Sequence, residues 1–302
     1  MSATNRAGFW NDKVWAAIDS AVSGTVGPIR VARKVFQTTE LTGATSVPAD
    51  IFDPANMTIQ EGITKPYVEL ARRFTLTNGQ VRDDPNGTTA TTLAALAART
   101  VALAEDITIL RGIGNLPTGI DVESGGAGAN QGILDLVQGD PIDVNAPAAG
   151  SPLTSGGGIL AAVTNGIARL TGKGQTQAWA LIADTESFAA MWGSLINGAP
   201  TYNLLTQLVT GGIYSTAAMP RHTALLAATG GNPTTIYLGT DATTEPTARE
   251  GQGRFSFRVF ERVQFVVRDN RAFVRLNFSY LNTQGGQGTK PVSSARGEAR
   301  SA

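Results

Sequence analysis

The chain has no cysteine and a single histidine, His222. The missing thiols exclude disulfides, thiolate metal sites and a cysteine nucleophile. One histidine excludes two-histidine metal sites. A Ser-His-Asp triad would depend wholly on His222, between Pro220 and Arg221, and a surface or loop position is expected for it instead. Charge is also scarce. Charged residues make up 16% of the 302, below the usual level of about a quarter, and 24 basic side chains balance 24 acidic ones. A chain without basic excess is not expected to grip nucleic acid over a wide surface, although the total would hide basic residues gathered on one face. No run approaches the roughly 20 apolar residues of a membrane span. No basic start followed by an apolar stretch marks a signal peptide. The expectation is a soluble product made in the cytoplasm, with no membrane partner.

Catalytic signatures are missing too. Leu170-Thr171-Gly172-Lys173-Gly174 hints at a phosphate loop. It fails because Ile167 stands where the first glycine belongs and Gly174 follows the lysine in place of Ser or Thr. Gly251-Gln252-Gly253 leads into a strand pattern, not a helix, so it is no dinucleotide fingerprint. No Gly-x-Ser-x-Gly elbow occurs. Glu105 and Asp106 are adjacent on a helical pattern and so point about 100° apart. They suit binding Arg or capping backbone better than acting as a dyad. The sequence therefore predicts no enzyme, no catalytic residue, no cofactor and no metal.

The chain is long enough for one large domain or two intimate ones, and 42% of it is apolar, so a sizeable core is available. Glycine is abundant at 35 residues, and Arg outnumbers Lys nineteen to five. A chain with sparse charge and abundant Gly, Ala and Thr must either solubilise itself with hydroxyls and backbone or bury much of its surface in an assembly. Arg suits interfaces better than Lys, though a GC-rich genome would produce the same bias.

Periodicity predicts the elements. Trp10, Val14, Ile18 and Val22 predict a helix over 9–26, ended by Gly24, Gly27 and Pro28. Residues 29–40, beginning Ile29 to Phe36, read as a strand, and Thr42–Asn56 as loop. Residues 66–80 alternate, with Val68, Leu70, Phe74 and Leu76 on one face beside Arg72, and Glu69, Arg73 and Thr75 on the other. Strands around 30–60 and 60–80 would make a long two-stranded arm, which is marginal in water unless it lies on a neighbour. After a turn at Asp83–Gly87, a helix runs from Thr88 to Arg111, about 36 Å at roughly 1.5 Å per residue. Thr88–Thr92 offer its caps, and Leu93, Leu96, Thr100, Leu103, Ile107 and Leu110 form its apolar stripe. Residues 112–158 read as loop with one short strand or hairpin.

Helices are expected at 159–170, 185–193 and 203–209, and strands at 179–183, 223–228 and 234–239. Phe255 to Val267 alternates over seven positions, a strand near 23 Å at about 3.3 Å per residue. Arg268–Arg271 turns it, and Ala272 to Tyr280 alternate back. Glu261 interrupts the apolar face, and a carboxylate there requires a partner, with Arg the best fit. The tail 282–302 has no core-forming pattern and is expected to be flexible or to order only on a neighbour.

Three segments carry a resemblance. Pro66-Tyr67-Val68-Glu69-Leu70-Ala71-Arg72-Arg73-Phe74-Thr75-Leu76 resembles the returning strand of the extended loop in encapsulins. Ala104-Glu105-Asp106-Ile107-Thr108-Ile109-Leu110-Arg111-Gly112 is similar to the end of their spine helix. Phe257–Leu276, with Glu261 and the turn Asn270-Arg271-Ala272, resembles their paired C-terminal strands. Trp15-Ala16-Ala17-Ile18-Asp19 is similar to their N-terminal helix. The chain thus resembles the Hong Kong 97-type shell fold of tailed-phage major capsid proteins, in its encapsulin-like branch. It departs in lacking a Gly-Trp-Glu signature, where Leu41–Asp50 stands, and in the extra segments at 121–158 and 282–302.

The resemblance implies an α+β fold: an N-terminal arm or helix over 1–34, an extended two-stranded loop over 35–82 and a peripheral domain over 83–149 and 255–281 with spine helix 88–111. An axial domain would span 150–254 and a flexible tail 282–302. It implies a virion subunit, made in the bacterial host cytoplasm, that self-assembles as pentamers, with hexamers allowed, into an icosahedral head. That head would enclose double-stranded DNA without sequence-specific binding, with scaffolding, portal or decoration proteins as further partners. Glu69, Arg72, Arg73 and Glu261 are the candidate inter-subunit contacts. Crosslinking is not expected, because Lys34 and Lys65 flank the loop and no lysine lies between them. The alternatives are an encapsulin shell enclosing cargo enzymes and a tail or fibre protein. The last would explain the Gly and Thr content, but no repeat supports it.

Overall fold

The computed structural model describes residues 10–53, 56, 58–124, 131–137, 141–143, 155–176, 178–250 and 253–278. Expectations for residues 282–302, and for most of the 121–158 segment, fall outside them.

Helix α1, Asp12–Ile29, opens on Asn11, whose side chain accepts the Val14 N–H at 3.0 Å. It does not stop at Gly24. It runs through both glycines and takes Pro28 into its last turn. Gly24, Gly27 and Pro28 face solvent while Ile18, Val22 and Val26 carry the buried stripe onward. Packing of that stripe outweighs the poor local propensity. The expected strand from Ile29 is also corrected: one helical turn, α2 (Ala32–Val35), precedes the short strand β1 (Gln37–Glu40). The cause is distant in sequence, because the Asp106 carboxylate accepts the N–H groups of Val31 and Ala32 at 2.9 Å and holds the turn.

The arm is real but shorter than expected. Strand β2 (Ser46–Pro48) pairs with β5 (Thr64–Pro66), and β3 (Ile51–Asp53) with β4 (Thr58–Gln60). The presumed loop at 42–56 therefore contains two strands. Strand β6 (Val68–Thr77) is not part of the arm, because it pairs along its whole length with a strand of the main sheet. A capping box between Thr77 and Gln80 opens the short helix α3 (Asn78–Arg82).

The spine helix α4, Thr88–Arg111, has the predicted ends. Its N-cap is Gly87 at φ +65, and Asp84, not a threonine, accepts the Thr89 N–H at 2.7 Å. The leucine stripe is only partly inside: Leu93 and Leu103 are half-buried and Leu96 is 53% exposed. The buried face of the first turns is made of Ala90, Ala94, Ala97 and Ala98. Small side chains let α4 lie close to α1 and to the sheet, and Leu93 and Leu96 fall to its flank, whereas Leu110 at the far end is fully buried.

Strand β7 (Asp121–Ser124), helix α5 (Ile133–Leu136) and strand β8 (Ile142–Asp143) follow. Helix α6 (Ser155–Gly172), strand β9 (Trp179–Ala183), helix α7 (Thr185–Gly193), the small hairpin β10 (Leu195–Ile196) and β11 (Ala199–Pro200), and helix α8 (Thr201–Leu208) come next. The last strands are β12 (Ile213–Ser215), β13 (Thr223–Ala228), β14 (Thr234–Glu250), β15 (Arg254–Val267) and β16 (Phe273–Asn277). Gly132 is wedged against the end of the spine: an added Cβ would lie 2.4 Å from the backbone nitrogens of Arg111 and Gly112. Gly132→Ala must shift backbone and should lower stability by about 1–3 kcal/mol. A denaturation midpoint equal to that of the parent chain would refute this.

The first sheet has the order β1-β14-β15-β6-β7 and the second β12-β9-β13-β16-β8. The expected return pairing of the last two strands does not form. β15 lies between β14 and β6, whereas β16 pairs with β13 and β8 in the other sheet. The turn at Asp269, whose carboxylate accepts the Arg271 N–H at 3.0 Å, carries the chain from one sheet to the other. Alternation names the faces of a strand and not its neighbours. α1, α4 and the first sheet share one core, around Ile18, Leu70, Ala98, Ile109 and Phe257. α6, α7, α8 and the second sheet share another, around Ile159, Leu181, Leu226 and Leu276.

Candidate functional site

Three chain-distant segments meet where α1 ends. Arg30, whose side chain is 4% exposed, places Nε 2.6 Å from Glu105, Nη1 2.8 Å from Asp241 and Nη2 against Glu261. Arg33 grips Glu105 with two nitrogens, at 2.6 and 2.8 Å, and reaches Asp241 at 3.0 Å and Glu261 at 3.5 Å. Glu105 and Glu261 are wholly buried. Beside them Asp106 caps Val31 and Ala32 and lies 3.3 Å from the Thr216 hydroxyl. The expectation that Glu105 and Asp106 bind Arg and cap backbone describes both residues.

Electrostatics follow from burial. Desolvation pushes the Asp106 carboxyl up to about 6, against the backbone donors of Ala32 and Val31 that pull it down. Burial, and then the Glu105 charge, raise the Glu261 carboxyl well above the usual range, against Arg30 and Arg33. Burial works against the Arg33 charge, yet Glu105, Glu261 and Asp241 hold its pKa above the ordinary value.

This arrangement corrects one expectation. Glu261 finds its arginines inside its own subunit and has no exposed surface to offer another. Arg30 and Arg33 were not singled out in the sequence. Their signal is two cations three residues apart, flanking Val31 and Ala32.

The other three candidates lie on β6. Glu69 accepts from Arg258 at 2.7 Å, and its side chain is only 15% exposed, so it too is engaged within the chain. Arg72 donates to the Thr118 carbonyl at 3.2 Å. Arg73 meets Asp121 at 2.8 Å, with its side chain 65% exposed. Arg72, Arg73 and Phe74 form one wall of a shallow groove of about 200 Å³, and Leu93, Leu96 and Ala97 of α4 form the other. β7 pairs only with Val68–Ala71, so beyond Ala71 this side of β6 has no strand partner among the described residues.

His222 is not a surface residue. It is buried in the loop before β13, at φ +55, with Nε2 2.6 Å from Glu186 Oε2, and Glu186 also pairs with Arg221 at 2.7 Å. Among the described residues no group of three or more His, Cys, Asp or Glu could hold a metal. No described helix is long and apolar enough to cross a membrane.

A spine helix packed on a sheet, a two-stranded arm and a second α/β body together make the Hong Kong 97-type shell fold. The likeness to solved shells is extensive. The virus-like particle from Pyrococcus furiosus superposes with a TM-score of 0.64 at 17% identity, over 87% of this chain and 99% of that one. The capsid of Myoviridae phage XM1 superposes at 0.58 and 12% identity, over 83% and 92%. The SrpI encapsulin from Synechococcus elongatus superposes at 0.54 and 11%, over 84% and 90%. No curated protein matches in sequence. The profile of the Linocin_M18 family, described as encapsulating protein for peroxidase, matches residues 7–264. The chain belongs to that family, and it is a structural shell subunit.

Proposed function

We propose that this chain is a phage or prophage major capsid protein that self-assembles into a closed icosahedral head around double-stranded DNA, without sequence-specific contacts and without catalysis. The observation that supports it best is the architecture itself: an arm whose base packs on its own sheet but whose outer ladder, Ile51–Asp53 with Thr58–Gln60, is only two strands wide, beside a groove that lies open. The ribbon Ser46–Pro66 is two strands wide, and its tip exposes Ile59. Such a ribbon is marginal in water by itself. The arm of one copy laid over the spine and sheet of the next would cover apolar surface on both. The spine helix and first sheet then act as the peripheral domain, and the second sheet with α6–α8 as the axial domain at pentamer and hexamer centres. The location is the virion, and the site of synthesis the host cytoplasm.

Of the residues first put forward as contacts, Arg72 and Arg73 remain suited to an interface, while Glu69 and Glu261 hold their own subunit together. Leu96→Asp combined with Arg73→Glu should leave the subunit folded, because exposed substitutions usually change stability by within about 0.5 kcal/mol. The same double variant should form no shells. Normal particles from it, in sedimentation and negative-stain microscopy, would refute the assignment of this face.

An encapsulin shell is the second reading, favoured by the family description. Microscopy of the protein expressed alone, with and without nuclease, tests both readings. Closed particles support a shell, their diameter separates a small cargo shell from a larger head, and rods or fibres overturn both. Particles isolated from the native source and containing DNA support the first reading. Particles containing a folded enzyme support the second.

A further inference from the structure

The charge node at the end of α1 contains more acid than base. Glu261 on β15 faces Arg30 at the end of α1, Arg33 on α2, Glu105 on α4 and Asp241 on β14. Asp106 faces Glu105, the Thr216 hydroxyl and the first N–H groups of α2. Three carboxylates thus meet two guanidinium groups, and a fourth, Asp106, lies beside them on the backbone at the start of α2. Glu105, Asp106 and Glu261 are buried, and only Asp241 reaches solvent, at 56% side-chain exposure. Two atoms of the node are buried without a hydrogen bond among the described residues: Arg30 Nε, which is still 2.6 Å from Glu105, and Glu261 Oε1, whose partner oxygen Oε2 takes the Arg30 contact. A charged carboxylate oxygen left bare in the interior is costly, and a proton on it removes the charge part of that cost.

We propose that this node is a proton-dependent latch. Protons held on Glu261 and Asp106 keep the α1–α2 segment docked on the spine helix and the first sheet, and their loss at higher pH weakens the docking. The geometry explains why the effect is confined to this segment. Every contact of Arg30 and Arg33 in the node, and both backbone donors to Asp106, belong to the short stretch 30–33. The acids that receive them are on α4, β14 and β15. Undocking the segment would free the arginines and return both acids to ordinary carboxylate behaviour.

The direction follows from linkage. Both acids are raised in the docked state, so that state binds protons more tightly than the undocked one. The stabilisation is complete below the ordinary carboxylate range and is lost as pH rises. For Asp106 the loss falls between about 4 and about 6, and for Glu261 it extends upward from the ordinary glutamate range. Carboxylates whose pKa is lowered, such as Asp84 and Asp269, act in the opposite sense and only at more acidic pH.

The latch is a property of the single subunit, so it stands or falls separately from the shell reading. Hydrogen exchange of peptides covering 12–35 should be followed from pH 4.5 to 8.5, corrected for intrinsic exchange chemistry. A whole-molecule stability control comes from peptides of β9 and β13. Protection of 12–35 in the parent chain should fall at least tenfold over that range, since each unit of pKa shift is a factor of ten. Glu261→Gln, which mimics the protonated acid, should flatten the profile and match or exceed the parent at pH 8. Asp106→Asn should remove the part of the fall below about pH 6. A flat profile in the parent chain would overturn the latch. So would Glu261→Gln that is less protected than the parent at every pH, because that result describes a plain ion pair.

Discussion

Arg30→Ala will destabilise the subunit by about 3–5 kcal/mol, the usual cost of stripping one partner from a buried ion pair. Domains of this kind are stable by only about 5–15 kcal/mol, so a large share of the total is at stake. The reason is what stays behind. Glu105 keeps two contacts from Arg33, at 2.6 and 2.8 Å, but Glu261 keeps only the looser one at 3.5 Å, and both acids are wholly buried. The damage is an uncompensated charge and not merely a lost contact. Two further results should follow. The joint change Arg30→Met with Glu261→Met should cost clearly less than Arg30→Ala, because no orphan charge remains. The cost of Arg30→Ala should also shrink as pH falls, because burial raises the Glu261 carboxyl and a proton on it removes the orphan charge. Urea denaturation at two pH values measures all three quantities. A cost for Arg30→Ala under 1 kcal/mol would show that the node does not hold the subunit together.

Phe257→Ala should cost about 3–5 kcal/mol, as large-to-small changes at well-packed aromatic sites do. Phe257 is fully buried at the centre of an aromatic cluster. Its ring is 5.3 Å from Trp10, 5.5 Å from Phe74 and 6.3 Å from Trp15, stacked on the first two. The cluster joins α1 to β6 and β15, so the cavity would open where the N-terminal segment meets the sheet. Loss of near-ultraviolet circular dichroism from the tryptophans should accompany the lowered denaturation midpoint. Phe257→Leu, which fills most of the space, should recover much of the loss. Equal stability of the alanine and leucine variants would mean that the site collapses freely and that the cluster is not a rigid joint.

Much of this architecture is legible before any coordinates. The alternation from Phe255 to Val267 marks a strand with one face in the core, and Glu261 on that face demands a cation. The adjacent acids Glu105 and Asp106 cannot share a face and so cannot form a dyad, and each performs one of the two tasks that remained. The Thr88–Arg111 helix has the ends that its turn and its glycine imply. Other features were hidden for identifiable reasons. Hydrophobicity counts leucine above alanine, yet close approach of α1 and the sheet favours the alanines, so Leu96 lies outside. Local propensity stops a helix at Gly24 and Pro28, yet a buried stripe on the opposite face carries it on. Ile29–Phe36 looks extended by composition, yet a carboxylate over seventy residues away winds part of it into a turn.

The amino-acid sequence by itself determined the span of the spine helix, the alternating faces of β6 and β15 and the need for a cation at Glu261. Each follows from local periodicity or residue type, which no partner can change. The tertiary structure alone decided which arginines serve Glu261, that β15 and β16 belong to different sheets, and that the arm is confined to Ser46–Pro66. Those outcomes depend on which distant segments compete for the same surface, and the competition is settled by packing and by burial of charge, which no short window of sequence contains.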